Sequence, residues 1–538
     1  MNSKTLRKLL ITFSAIGIVS IGIGIACSGD DGDYYGYSNF TPETFVDPSF
    51  SAFFYAPYDM FYGEGYDEDH ISRFNTQMTA NWKGFLNGKL SADNLKFFLL
   101  DKESTPVINE LYKFTANNTK TSTSNEWSAK IDLSNMEVKA FIEFLYWAKL
   151  VEKSSLTTFD YWDYETKEET PKVESSVIDQ LKLKYQQTTN NFLKNRYWFQ
   201  VMKAYFYSNK TEDAQAFFEN TNKIQPRNTL YYRALSYLAG ISYKSGDYAN
   251  SNYLYSIVFN NCTQLRKTAI YSFHPQNESD WNGALKLAGT DSEKADLWAL
   301  LGYYNDEERA IKEIFKLDPQ NANLNFLITR LINKIEVKYD SYGFNSIAEY
   351  KEKVRENMDK NTVELITRIA LSKKTSKPYL WYAAAGYLHT LSANYTQATE
   401  LYSKAEEIMP QKEVTKYQLR LLKLVNTLSE INEIDQNTEN KLLADLNWLY
   451  FELPQKAPDE FRYGKATSWS KAYLSQLYAS KNDIIISEIF SPVLAFYNDN
   501  RKVEQMKMFL EKPEKHRLKN LHKRFIPIPL EIFTSSRL

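Results

Sequence analysis

The sequence predicts an all-α fold, a solenoid of stacked helix pairs, and three observations lead there. Apolar residues recur at three-and-four spacing through most of the chain beyond residue 70, the period of helices with one buried face. Gly and Pro number only 18 and 16 in 538 residues, fewer than turn-rich strand folds use. Two distant stretches, Asn195–Asn228 and Tyr379–Lys412, carry aromatic, small and proline residues at matching intervals. A chain this long exceeds one core and suits two to four domains or one extended repeat array.

The amino terminus is set apart from the fold. Lys4, Arg7 and Lys8 precede the uncharged apolar run Leu9–Ile25, so residues 1–26 read as a targeting segment. The run ends in Gly24-Ile25-Ala26-Cys27, which resembles the lipobox of bacterial lipoproteins. That resemblance implies cleavage before Cys27 and lipidation of Cys27, with membrane attachment through it. An ordinary signal peptide or a single membrane anchor are the alternatives, and 17 apolar residues sit at the short edge of a spanning helix. Residues 27–33 form an acidic tether, and Ser28-Gly29-Asp30-Asp31-Gly32-Asp33 resembles the surface-export signal of Bacteroidota lipoproteins. The implied location is the outer membrane, surface-exposed or facing the periplasm. Gly and Asp also make a plain flexible linker.

Removing residues 1–26 takes the net charge from −1 to about −4, with no electrostatic footprint for nucleic acid. Only Cys27 and Cys262 occur. With Cys27 lipidated, Cys262 has no intramolecular partner, so no disulfide framework or cysteine metal site is expected.

Residues 34–177 are expected to form an aromatic-rich and helical region. Residues 34–70 carry Tyr34, Phe40, Phe45, Phe50 and the run Phe53-Phe54-Tyr55 among Pro42, Pro48 and Pro57. Such a segment is too apolar for disorder and too interrupted for a long helix. It should lie extended over the helical body with its aromatics docked; an exposed platform for stacking glycans is the functional alternative. Helices follow at Ile71–Leu86 and Ser91–Leu100. Ser134-Asn135-Met136-Glu137 reads as a capping box, Ser134 accepting at the first turn and Glu137 reaching back. It opens a helix carrying Val138, Phe141, Ile142, Leu145 and Ala148. Thr115–Asn125 and Glu152–Glu174 read as loops.

Residues 178–500 should be helix pairs. In Tyr379–Lys412 the first helix carries Leu380, Ala384, Gly386 and Tyr387 and ends near Leu391; the second carries Tyr395, Ala398, Tyr402 and Ala405. Pro410 stops it. In Asn195–Asn228, Trp198 to Pro226 spans the same 28 positions as Tyr382 to Pro410. Ala214 falls on Ala398, Phe218 on Tyr402 and Val201 on Ala385, with Thr211 as a cap for the second helix. These two units resemble tetratricopeptide repeats, through Tyr382, Gly386, Ala398, Tyr402, Ala405 and Pro410, and through Trp198, Tyr205, Ala214, Phe218 and Pro226. Met202 and Thr221 stand where that pattern has small residues. Weaker copies lie around 232–262 and at Trp298–Pro319, and Lys465–Pro492 reads as another helix pair without the signature. Further amphipathic helices are expected at Phe326–Val337, Ser346–Met358, Val363–Leu371, Val414–Leu428 and Asn440–Phe451. Residues 501–538 form a basic segment (Lys507, Lys512, Lys515, Arg517, Lys519, Lys523, Arg524), a solvated terminal helix or a contact for anionic lipid or glycan.

Motifs for chemistry are absent. The histidines at 70, 274, 389, 516 and 522 lack the i, i+4 spacing of a helical metal pair. His389 is expected to serve packing. Asp67-Glu68-Asp69-His70 lacks the glycine and distal glutamate of a calcium loop. No phosphate-cradling loop, nucleophile elbow or dinucleotide fingerprint occurs. No catalytic residue, cofactor or metal is expected, and the chain reads as a non-enzyme.

What remains is a surface. The repeat resemblance implies that the first helices line a groove for a protein segment, which would place Arg196, Phe199, Lys203, Phe206 and Tyr207 there. In the other unit it would place Leu380, Ala383, Tyr387, Thr390 and Leu391. A second helix layer over these residues is the alternative. Three functions follow: a lipid-anchored scaffold binding proteins at the outer membrane or cell surface, a glycan-binding lipoprotein, or a hydrolase whose paired carboxylates are set by the fold and not by local spacing. The second rests on length, lipobox, helical repeats and aromatic content similar to the SusD-like nutrient-binding family, whose carboxy-terminal run Ile526-Pro527-Ile528-Pro529-Leu530-Glu531-Ile532 resembles.

Overall fold

The computed structural model describes residues 38–41, 44–47, 50, 69–117, 126–155, 172–338, 346–458 and 461–511. The targeting segment, Cys27, the acidic tether, most of residues 34–70, the centres of both expected loops and the chain from 512 lie outside the described residues. Within them there is no strand, and the fold is all-α.

The chain divides into two compact units, one of residues 49–327 and one of residues 1–48 with 328–538. In the first, the helices are α1 Asp69–Leu86, α2 Ala92–Leu100, α3 Ser104–Asn117, α4 Met136–Glu152, α5 Ser175–Gln187, α6 Asn191–Tyr207 and α7 Thr211–Thr221. They continue with α8 Thr229–Lys244, α9 Tyr248–Asn261, α10 Arg266–Ser272, α11 Glu278–Leu287, α12 Asp291–Tyr304 and α13 Glu307–Leu317. The division falls inside α14 Asn323–Lys338. In the other unit follow α15 Ile347–Asn357, α16 Lys360–Ser372, α17 Pro378–Leu391, α18 Tyr395–Ile408, α19 Glu413–Glu430 and α20 Gln436–Asn447. A π-helical turn Trp448–Glu452 leads into α21 Leu453–Lys456, then α22 Gly464–Ser480, α23 Ile484–Phe490 and α24 Asn500–Glu511. Within each unit a helix packs chiefly against its neighbours in sequence, the stacking of a solenoid.

Short polar side chains set the helix starts. Ser91, Asn190, Asn228, Asp247, Asn277, Thr290, Asp306, Ser346, Asp359, Asp435 and Asp483 each accept an amide of their first turn, satisfying a donor the helix leaves open. The expected box at residues 134–137 is corrected. Asn135, one residue closer, caps α4 by accepting from the amides of Glu137 and Val138. Ser134 Oγ turns instead to Asp132 (2.6 Å), and Glu137 reaches Lys89 (2.6 Å). Thr211 is likewise corrected: it is the first residue of α7, and the capping position holds Lys210, with no side-chain bond. The left-handed Asn209 (φ +56) turns the chain into the helix one residue early.

The repeat signature packs tightly in α17–α18. A Cβ at Gly386 would stand 2.6 Å from the Tyr402 ring, so only glycine permits that approach. Ala398 and Ala405 are buried beside it. Tyr402 Oη lies 3.0 Å from Thr390 Oγ1, which donates to Asn426 Oδ1 (2.9 Å). Asn426 Nδ2 donates on to Tyr395 O and Thr399 Oγ1, tying α17, α18 and α19 together. Gly302 repeats the motif in α12–α13, 2.7 Å from Ala310 Cβ by the same measure. In α6–α7, Thr221 stands in place of a small residue because its hydroxyl accepts from the buried Trp198 indole (2.7 Å). This pair touches along less of its length than α17–α18. Ala214 and Phe218 are buried, Pro226 sits in the exposed loop after α7, and α18 stops two residues before Pro410.

The expected docking of the aromatic segment is found for its described residues, but the expected extended path is corrected: the chain bends at Asn39 and Phe40 and turns where Thr44 N donates to Thr41 O (3.2 Å). Phe40, Phe45 and Phe50 are buried. Phe50 stacks on Tyr303 and Phe326 with the Arg266 guanidinium 4.0 Å from its ring centre. Phe40 and Phe45 belong to the other unit, against α17.

Candidate functional site

In the unit of residues 328–538, Leu380, Ala383, Tyr387, Thr390 and Leu391 of α17 are all buried rather than lining an open groove: Tyr387 meets Asn39 and Phe40 of the chain's own amino-terminal segment, while Thr390 faces Tyr402 and Asn426. Phe40 stacks on Phe45 (4.9 Å) and Tyr387 (6.4 Å), and Phe45 leans on Tyr379 (6.2 Å).

Side chains of the helices hold the main chain of this segment. Gln418 on α19 is fully buried and makes two bonds: Thr41 N donates to its Oε1 (2.8 Å), and its Nε2 donates to Asn39 O (2.6 Å). Glu336 on α14 accepts from Asn39 N (3.0 Å), Asn39 Nδ2 (3.0 Å) and Ser38 Oγ (2.5 Å). Its charge is matched by the buried Lys465, 3.2 Å away. Asn39 Nδ2 also donates to Tyr387 Oη (3.0 Å). Lys377 Nζ donates to Phe45 O, and Thr41 Oγ1 to Arg462 O (3.2 Å). A buried carboxylate and amide are costly unless fully bonded; here a peptide segment supplies the bonds. Beside it opens a recess lined by Asn39, Glu336, Tyr350, Lys351, Tyr387 and Lys465. Its volume of about 30 Å³ admits roughly two waters and no larger ligand. Burial pushes the Lys351 ammonium down to about 8, although Asn432 Oδ1 accepts from it at 2.6 Å.

Glu336 and Gln418 were not among the residues assigned from sequence. The signal was present: each interrupts an apolar stripe, Glu336 one turn after Ile332 and Gln418 between Thr415 and Leu422. A polar residue in that position marks a buried partner.

In the unit of residues 49–327, Phe199, Phe206 and Tyr207 meet around Tyr237 of α8, with Lys203 6.0 Å from the Tyr207 ring centre. Phe199 and Phe206 stack on that ring at 5.9 and 4.7 Å, and Tyr207 meets it edge-on at 6.0 Å. Arg233 lies over Phe199 (4.8 Å) and 5.9 Å from Phe74 of α1. Lys203 is pushed down to about 8, by burial first and then by Arg233. Arg196 does not join this cluster. Its guanidinium stacks on Phe192 (3.2 Å) and faces Trp82 of α1 (5.1 Å), and burial lowers it to about 9. Helix α1, held also by Thr229 Oγ1 donating to Gln77 (3.1 Å), therefore covers part of this face as a second layer.

Other candidates have structural surroundings. His389 Nε2 lies 3.1 Å from Thr367 Oγ1, and burial lowers its pKa. Cys262 is buried and free, with its thiol raised by burial. Asp67 and Glu68 lie outside the described residues, while Asp69 and His70 open α1. Among the described residues no group of three or more His, Cys, Asp or Glu is placed to hold a metal, and no helix is long and apolar enough to cross a membrane. No protein-family model, curated protein or solved structure significantly matches this chain.

Proposed function

We propose that this protein is a non-enzymatic, lipid-anchored helical scaffold of tetratricopeptide-like type, attached through Cys27 and binding extended segments of other proteins at the outer membrane or cell surface. The observation supporting it is the capture of main-chain groups of Asn39, Thr41 and Phe45 by Gln418, Glu336 and Lys377. Helix side chains that bond a peptide backbone recognise polypeptide. The second face, with Lys203 and Arg233 set on aromatic rings, has the anchor chemistry of protein interfaces.

The glycan reading called for exposed rings in the aromatic segment. Phe40, Phe45 and Phe50 are 0, 2 and 6% exposed, so those three cannot stack on a sugar.

In-cell crosslinking followed by membrane fractionation tests the proposal. A fixed protein neighbour, lost with Arg233→Glu, is expected, together with release from membranes on Cys27→Ser. Recovery of lipid and free glycan alone would overturn the binding role, and membrane retention of the serine variant would overturn the anchor.

A further inference from the structure

We propose that residues 38–41 and 44–46 are a built-in ligand: the α14–α17–α19 groove is a binding site for a peptide segment of their chemistry, occupied in cis and closed to competitors until they leave. This deepens the scaffold reading by naming what the site takes and what regulates it. Two observations carry it.

First, the segment is bound as a ligand is bound. It is nearly 300 residues from Glu336 in sequence, and apart from the turn in which Thr44 N donates to Thr41 O (3.2 Å) its main-chain groups at Asn39, Thr41 and Phe45 are held by side chains of the helices. Second, the groove reads side chains at two points. Asn39 is gripped by Glu336 and Tyr387, and Phe40 fills the space against Tyr387, with Phe45 covering it. The recognised pattern is hydroxyl–Asn–aromatic–Thr, with a second aromatic four residues after Thr41.

A tethered ligand sees its site at an effective concentration in the millimolar range, so a free segment of similar intrinsic affinity scarcely competes. Loosening the tethered copy opens the site. A segment with this pattern from another chain then binds through the same bonds.

The test uses the chain from residue 28 onward and a fluorescent peptide of residues 36–48. The double variant Asn39→Ala/Phe40→Ala weakens the tethered copy and leaves the groove untouched. Saturable peptide binding by this variant is expected, at least tenfold tighter than by the wild type, and abolished by adding Gln418→Ala. A folded double variant that fails to bind overturns the inference, as does binding that ignores Gln418→Ala. Should the double variant not fold, hydrogen exchange on the wild type decides. Amides of Asn39 and Thr41 exchanging well before those of Leu380–Leu388 support release of the segment. Exchange of both only on global unfolding makes residues 38–46 core and overturns the inference. The peptide assay involves no cellular partner, so positive binding without a crosslinked neighbour in cells would remove the scaffold function and leave this site standing.

Discussion

Single residues show where packing is least forgiving. Gly386→Ala drives a methyl group into the Tyr402 ring and should cost about 1–3 kcal/mol, read as a lowered denaturant midpoint. Gln418→Ala removes both bonds to Asn39 and Thr41. With buried main-chain groups left open, thermal unfolding should show a loss of about 1–3 kcal/mol. Asp296 gives a pH dependence. Burial first, then Glu293 and Asp318, raises its pKa to about 6. Between about pH 4 and 6 the folded state therefore holds more protons than the unfolded one, and stability falls as pH rises through that window. Asp296→Asn should raise stability at pH 8 by about 1 kcal/mol, allowing for water around a half-buried carboxyl, and leave it unchanged at pH 4; equal effects at both would remove this explanation. Residue identity within helix pairs was readable because Gly386, Ala398 and Tyr402 obey one spacing. Glu336 and Gln418 were harder, since what satisfies them lies far away in sequence.

At the scale of elements, periodicity located the helices closely, because each buries a single face. Pro378–Leu391 and Tyr395–Ile408 fall where their apolar residues and Pro410 place them. The helix starts were less legible. Neighbouring polar residues compete to cap, and Asn135 wins over Ser134 because it reaches two amides at once. Asn135→Ala should therefore destabilise α4 by about 1 kcal/mol and Ser134→Ala by much less, as compared by thermal melts of the two variants. Layering was not legible. That α1 covers Arg196 depends on Trp82, Phe85 and Phe192 meeting in space, and no local spacing encodes such a meeting. The docking of Phe40, Phe45 and Phe50 was foreseeable from their number alone, as rings among prolines need a surface to cover.

For the whole molecule, the segment that fills the α17 groove is also the one closest to the proposed anchor. Eleven residue steps separate Cys27 from Ser38, an extended reach of roughly 40 Å at most. If Cys27 carries lipid, the unit holding Glu336 and Gln418 stays near the membrane, and release of residues 38–46 lengthens its tether. The most direct test of the central claim, that a helical groove holds this segment, is crosslinking from position 377. A photoreactive residue there, in otherwise wild-type protein on native membranes, should crosslink intramolecularly to residues 44–47 when read by mass spectrometry. Crosslinks that miss this segment and land elsewhere on the chain would contradict the account.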